Sequence, residues 1–275
     1  MRFFESLAIG VSMYSKIPMP RVEWNEKNMK YAMCFFPLVG VVTGILEVIL
    51  GNALLVYTSC GTLFFAGVMT LLWFLCGVLP LPGAARAAGF CLIPVWVTGG
   101  IHLDGYADTC DALSSYGDRE KKLEILKDSR TGAFAVIGFG LYLVASLALW
   151  SEAKSEMLPV IGAGYVMSRS LSGLSVMVFP SAKKDGLGRT FQEQAHRKRV
   201  AVVMVCWFFA ALAVMLMTSV QMGAAVLCTA LLVFWYYHHM AMKQFGGMTG
   251  DLAGYFLQLA ELLILAAVIV AGGAL

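Results

Sequence analysis

The sequence predicts an all-α, polytopic transmembrane helical bundle of about seven spans, with a re-entrant segment and an acidic cytoplasmic loop. Three observations predict it. Of 275 residues, 59% are hydrophobic and 13% are charged, where an average soluble domain has about 25% charged residues. Apolar windows recur at the roughly 20-residue length that a helix needs to cross a bilayer core about 30 Å thick. Most of the basic residues fall in three segments between those windows. Mean hydropathy is +0.76, and residues 1–275 read as a single integral-membrane domain with no room for a large soluble one.

The apolar stretch Phe3 to Tyr14 contains Glu5 and leads into Ile17-Pro18-Met19-Pro20 without a small-residue cleavage site. It reads as an interfacial segment or short helix rather than a signal peptide. Spans follow over Tyr31–Val56, Thr62–Leu81, Ala133–Trp150, Met157–Phe179, Val200–Met217, Met222–Tyr237 and Leu252–Ala271. Seven cysteines lie mostly inside these apolar runs, with no C-x-x-C pair, and read as small buried hydrophobes.

Charge sets the orientation. Arg2, Lys16, Arg21, Lys27 and Lys30 precede the first span. Arg119, Lys121, Lys122, Lys127 and Arg130 fall between His102 and Arg130. Lys183, Lys184, Arg189, Arg197, Lys198 and Arg199 fall between Pro180 and Arg199. The connections Thr58–Gly61 and Thr218–Gln221 carry no charge. The positive-inside rule places the three basic segments in the cytoplasm. The net charge of +3 is then topology, and nucleic acid is not an expected partner.

Residues 83–100 are apolar but contain Arg86, Pro94, Gly99 and Gly100. A full crossing here would put the next basic segment outside, so a re-entrant or half-helix reading keeps the parity; the alternative is a tilted span that breaks the topology rule. Irregular backbone at membrane depth is tolerated where protein or a wet cavity covers it, often beside binding sites.

The chemistry concentrates in Gly99 to Leu113. Asp104, Asp108 and Asp111 are spaced i, i+4, i+7, and on a helix they share one face. Three adjacent carboxylates repel one another unless a cation sits among them. Mg²⁺ suits such a set, being held by one or two carboxylates together with substrate phosphates, although the spacing does not separate Mg²⁺ from Mn²⁺ or Ca²⁺. Basic residues follow: Lys127 and Arg130 in Lys-Asp-Ser-Arg-Thr-Gly, Arg169 inside a span, and Lys183 and Lys184 before Gly186-Leu187-Gly188. Arg offers a bidentate fork to phosphate, Lys a point charge, and Gly a close backbone approach. For the Lys pair, topology and phosphate binding are both open. Arg169, costly within a span, faces a cavity, a function or a carboxylate partner. Asp251 begins the last span, as an acid favoured by the helix dipole or as a further metal ligand. Glu47 and Glu261 lie inside spans, where intrabundle hydrogen bonding or chemistry would hold them. His102 is a candidate general base; His196, His238 and His239 read as interfacial.

At these residues the chain resembles the cobalamin (5′-phosphate) synthase family of adenosylcobinamide-GDP ribazoletransferases. His102 through Asp111 match a His-x-Asp-Gly-x-x-Asp-Thr-x-Asp signature. The Lys127-Asp128-Ser129-Arg130-x-Gly block, Phe36-Pro37-Leu38-Val39-Gly40, Arg169, Gly186-Leu187-Gly188 and Thr249-Gly250-Asp251 also match. The likeness covers nearly the whole chain, and the acidic block is its specific part. One departure is Lys183 and Lys184, where an Arg is expected.

The resemblance implies the last assembly step of the cobalamin nucleotide loop, at a bacterial inner membrane with the site facing the cytoplasm. Adenosylcobinamide-GDP is the implied donor and α-ribazole or its 5′-phosphate the acceptor. An acceptor hydroxyl attacks the cobinamide-side phosphorus and GMP leaves. Mg²⁺ is the implied cofactor. On this reading Asp104, Asp108, Asp111 and Asp251 bind metal. Asp104, Asp108 and the base His102 are catalytic, and Lys127, Arg130, Arg169, Lys183 and Lys184 hold phosphates. A CDP-alcohol-type membrane phosphotransferase is the nearest rival, but the Ala-Arg pair of its motif is missing. An ion-coupled transporter is the rival of another class. The Gly-rich spans permit close helix contact, within the chain or between copies.

Overall fold

In the computed structural model, residues 2–56, 83–128, 130–182 and 192–273 are described. The expected span Thr62–Leu81 lies outside them, as do Lys183 and Lys184. The described residues are helical, with one isolated bridge between Ser181 and Met248 in place of any strand. The helices are α1 (Arg2–Tyr14), α2 (Glu26–Met29), α3 (Phe36–Val56), α4 (Gly83–Thr98), α5 (Ile101–Ser114), α6 (Arg119–Ile125), α7 (Ala133–Glu152), α8 (Leu158–Val178), α9 (Arg197–Thr218), α10 (Val220–Met240) and α11 (Gly250–Gly273).

Five helical stretches are long and apolar enough to cross a membrane: Lys27–Ile49, Ala133–Glu152, Arg197–Thr218, Val220–Phe245 and Gly250–Gly273. The chain is a multi-pass membrane protein. The short span expected at Met222–Tyr237 is longer than its apolar core, because helix continues through a π-turn at Ala241–Phe245.

The span expected at Met157–Phe179 forms a helix of full length, α8, but it is not among those five. Ser168, Arg169, Ser170, Ser172 and Ser175 dilute its hydropathy. The packing explains how it tolerates them: every residue of α8 except Pro159, Leu174 and Val178 is buried. A helix enclosed by other helices meets no lipid, so its polar side chains find protein partners instead. The lipid-facing character falls to helices such as α7 and α9, whose exposed residues include Leu141, Val144, Val202 and Phe209.

The stretch 83–100 is a half-length helix. α4 and α5 meet at an angle of 96° across Gly99-Gly100, whose φ angles of +68° and +83° are in the left-handed region that Gly enters without steric cost. The expected break is therefore a sharp bend rather than a tilted, continuous crossing. What the charge pattern treats as one acidic loop is, in its first half, helix α5. The described cysteines Cys34, Cys91, Cys110, Cys206 and Cys228 are free thiols.

The basic segments converge on one end of the bundle. Lys122 donates to Gln244 beside the π-turn at 2.6 Å. Met248 N–H donates to the Pro180 carbonyl, and Ala182 N–H to the Met248 carbonyl. Arg197 donates to the Met177 carbonyl at 2.8 Å, and His196 N–H donates to the Lys30 carbonyl. This chain of contacts gathers the three basic segments on one side, as the positive-inside rule requires.

Candidate active site on the acidic helix

Helix α5 carries the acidic face. At about 100° per residue, Asp104, Asp108 and Asp111 share one side, with Asp104 exposed and the other two half-buried. His102 lies two residues, or about 200°, from Asp104 and points into the protein. It is 4% exposed, stacked on Tyr14 at 6.1 Å and edge-on to Phe36 at 5.8 Å. The geometry therefore separates the candidate base from the carboxylates it was expected to serve. Adjacency in sequence misled here, because i and i+2 are nearly opposite on a helix.

Helix α11 crosses α5 beside this face, with Asp251 at the crossing. A Cβ at Gly105 would lie 2.8 Å from the Asp251 carbonyl oxygen, and one at Gly254 would lie 2.9 Å from the His102 carbonyl oxygen. Only Gly allows the two backbones to cross this closely. Gly105 sits between Asp104 and Asp108 in sequence, so the crossing falls within one helical turn of each. Thr249 caps that terminus: its hydroxyl accepts from Leu252 N–H at 3.2 Å and donates to Asp251 at 3.4 Å. Gly105→Val should destabilise the protein by about 1–3 kcal/mol, as overpacking does. It should also lower turnover by about 10²-fold through misplacement of Asp251; thermal unfolding and initial rates in detergent read the two effects separately.

Asp111 has a further neighbour. A Cβ at Gly132 would fall on the Asp111 carboxylate. Gly132 is the residue before α7, where the positive end of the helix dipole favours an anion. Lys127 and Arg130 are exposed on the adjoining segment. Arg130 forks onto Asp128 with contacts of 2.8–3.2 Å, and this pairing holds the Asp128 carboxyl down to about 2. A carboxylate depressed in this way contributes its pairing above its ordinary pKa of about 3.9 and loses it as pH falls through about 2. Asp128→Asn should therefore leave the shape of the pH–rate profile between about pH 5 and 9 unchanged. It should lower KM for a diphosphate substrate by freeing the fork, while Arg130→Ala should raise KM about tenfold.

Arg169 is elsewhere. It is fully buried, and its Nη1 donates to Glu261 at 2.6 Å and to the Tyr165 carbonyl at 3.1 Å. The Ser168 hydroxyl donates to the same Glu261 oxygen at 3.3 Å. Of the roles open to Arg169, the carboxylate partner is the one this geometry displays.

The donor set fits a metal held in part by substrate. Among the described residues, no three His, Cys, Asp or Glu side chains stand close enough to enclose an ion, so an all-protein cage does not fit. Two neighbouring carboxylates that leave the remaining positions to phosphate and water do fit the habit of Mg²⁺.

The sequence matches the family model for cobalamin-5-phosphate synthase over residues 6–79 and 50–269. The chain belongs to the cobalamin-5-phosphate synthase family. A protein named adenosylcobinamide-GDP ribazoletransferase from Lachnoclostridium phytofermentans is 41% identical over 273 residues, covering 99% of this chain and 96% of that protein. Proteins of the same name from Clostridium perfringens and Clostridium botulinum are 29% and 30% identical, each over 94% of this chain and about 95% of the relative. No solved structure matches the chain.

In this chain, sequence reasoning passed over two features near the acidic helix. The π-turn before α11 is one, a distortion common at functional sites, and it brings Arg119 against Gly246. The other is the bridge that ties Ser181 and Ala182 to Met248. Gly246-Gly247 ahead of Thr249 was the available signal, since φ of +77° and +158° at these glycines makes the turn possible. No local signal marked the bridge.

Proposed function

We propose that this chain is a Mg²⁺-dependent adenosylcobinamide-GDP ribazoletransferase. It joins adenosylcobinamide-GDP to α-ribazole or α-ribazole 5′-phosphate and releases GMP, at the cytoplasmic face of a bacterial inner membrane. The observation that carries the reading is the crossing of α5 and α11 at Gly105. It lays the start of α11, which carries Asp251, against the part of α5 that carries Asp104 and Asp108. Phosphoryl transfer asks a protein chiefly to position the reactants and to neutralise charge on the phosphate oxygens, and this acidic crossing offers both.

Asp104 and Asp108 would hold the metal, with Asp251 across the crossing and Asp111 at the edge of the set. When bound, Mg²⁺ supplies Lewis-acid neutralisation of the diphosphate oxygens. Lys127 and Arg130 would hold the diphosphate from the next segment. Lys183 and Lys184 lie outside the described residues, but Ala182, which precedes them, is bonded to Met248 just ahead of Asp251. An acceptor ribose hydroxyl attacks the phosphorus on the cobinamide side, its proton passes to a carboxylate of this set, and GMP departs with the electrons of the broken P–O bond. His102 serves as packing between α5, Tyr14 and Phe36. Arg169 serves the bundle interior.

The test is GMP release by the purified protein in detergent, given adenosylcobinamide-GDP and α-ribazole, with Mg²⁺ and then with excess EDTA. Release that needs both the acceptor and the metal is expected. No release from a folded sample under either condition would sink the reading.

A further inference from the structure

Three charged residues from three helices meet in the bundle interior. Glu47 of α3 is 0% exposed, Arg169 of α8 is 0% exposed and Glu261 of α11 is 8% exposed. Arg169 and Glu261 form an ion pair at 2.6 Å. The second oxygen of Glu261, both oxygens of Glu47, and Nε and Nη2 of Arg169 have no hydrogen-bond partner at direct distance among the described residues. The groups facing Glu47 are Tyr165 and Arg169 from α8, Glu261 from α11, Tyr142 from α7 and Cys91 from α4, while His102 of α5 faces Arg169. Thr43, one turn before Glu47, spends its hydroxyl on the Val39 carbonyl.

The charges do not balance. Two carboxylates share one guanidinium, already committed to Glu261 by geometry. Residues 57–82 contain no Lys, Arg or His, so they hold no cation for Glu47. The nearest cation among the described residues is thus the one already paired with Glu261. An unpaired ionised carboxylate in an apolar interior costs far more than its neutralisation. A metal cage of three carboxylate, imidazole or thiolate groups is not present among the described residues.

We infer that Glu47, Arg169 and Glu261 form one intramembrane proton-binding site, with the proton on the Glu47 carboxyl and the Arg169–Glu261 pair ionised. The assignment matches donors to acceptors. Neutral Glu47 has one O–H to give and one carbonyl oxygen to receive. Glu261 has an acceptor left, and Arg169 has two N–H groups left. Tyr165, whose side chain faces Glu47, and internal water, which occurs where two to four polar groups converge, meet these needs. The site holds α3, α8 and α11 together with zero net charge.

The test is infrared spectroscopy of full-length protein labelled with ¹³C-glutamate, in detergent at neutral pH. A protonated-carboxyl carbonyl band that shifts with the label is expected, and it should disappear in Glu47→Gln. Because Gln has the shape and hydrogen-bonding capacity of a neutral Glu, that variant should keep its unfolding temperature and release GMP within about twofold of the parent. Absence of the band, or a band that survives Glu47→Gln, overturns the assignment. So does a rise in unfolding temperature with Na⁺ that K⁺ and choline do not reproduce, which would place a metal cation there. If Glu47→Gln does not fold, the labelled parent protein decides alone: the band supports the site and its absence refutes it.

Discussion

Asp104→Ala and Asp108→Ala should each lower Mg²⁺-dependent GMP release by about 10²–10³-fold, the scale on which a single preorganised electrostatic group contributes. Asp104 is exposed and Asp108 half-buried, so thermal unfolding should move far less than turnover, and less in Asp104→Ala than in Asp108→Ala. Asp111→Ala should behave differently, because its carboxylate lies against Gly132 at the start of α7. Loss of a charge at a helix N-terminus costs about 0.3–1 kcal/mol, so this variant should lose some stability and retain more turnover. His102→Ala removes a buried ring packed on Tyr14 and Phe36. It should lower the unfolding temperature while leaving measurable turnover with an unchanged pH profile. Wild-type turnover in all three Asp variants at saturating Mg²⁺ would refute the site. An Asp111→Ala as inactive as Asp104→Ala, with its fold intact, would make Asp111 a full ligand.

Arg169→Met should destabilise the protein by about 3–5 kcal/mol, the cost of removing one partner from a buried ion pair. The pair has side chains 0% and 5% exposed, and the charge left on Glu261 would have no counterion beside it. Much of the destabilisation should be recovered in Arg169→Met/Glu261→Leu, since replacing both partners with apolar groups of similar volume is often neutral or stabilising. Arg169→Lys should fall between, because Lys keeps the charge and loses the planar fork. Chemical unfolding in detergent measures all three. Should Arg169→Met keep full stability while KM for adenosylcobinamide-GDP rises, Arg169 contacts the diphosphate and the structural role fails.

Much was legible along the chain. The apolar windows that became α3, α7, α9, α10 and α11 could be counted, because crossing a bilayer imposes length and hydropathy on each segment separately. The break before the acidic helix was visible in Gly99-Gly100. The acidic face was visible in the i, i+4, i+7 spacing, and together with the Lys-Asp-Ser-Arg block it carried the family resemblance. These are local properties, set by residues within a few turns of one another.

The tertiary structure decided which faces meet. It enclosed α8, so that a helix diluted by Ser and Arg could remain in the bundle, and it paired Arg169 with Glu261 across a sequence separation of 92 residues. It turned His102 inward while Asp104 faced out, laid Asp111 against Gly132, and brought Asp251 to Gly105. None of this follows from hydropathy, which records how apolar a segment is and not what stands beside it. By itself the sequence determined most of the described spans and the acidic helix. The partners of each charge were decided by packing, because in a low-dielectric interior a charge is tolerated only where another group can answer it, and those groups come from distant parts of the chain.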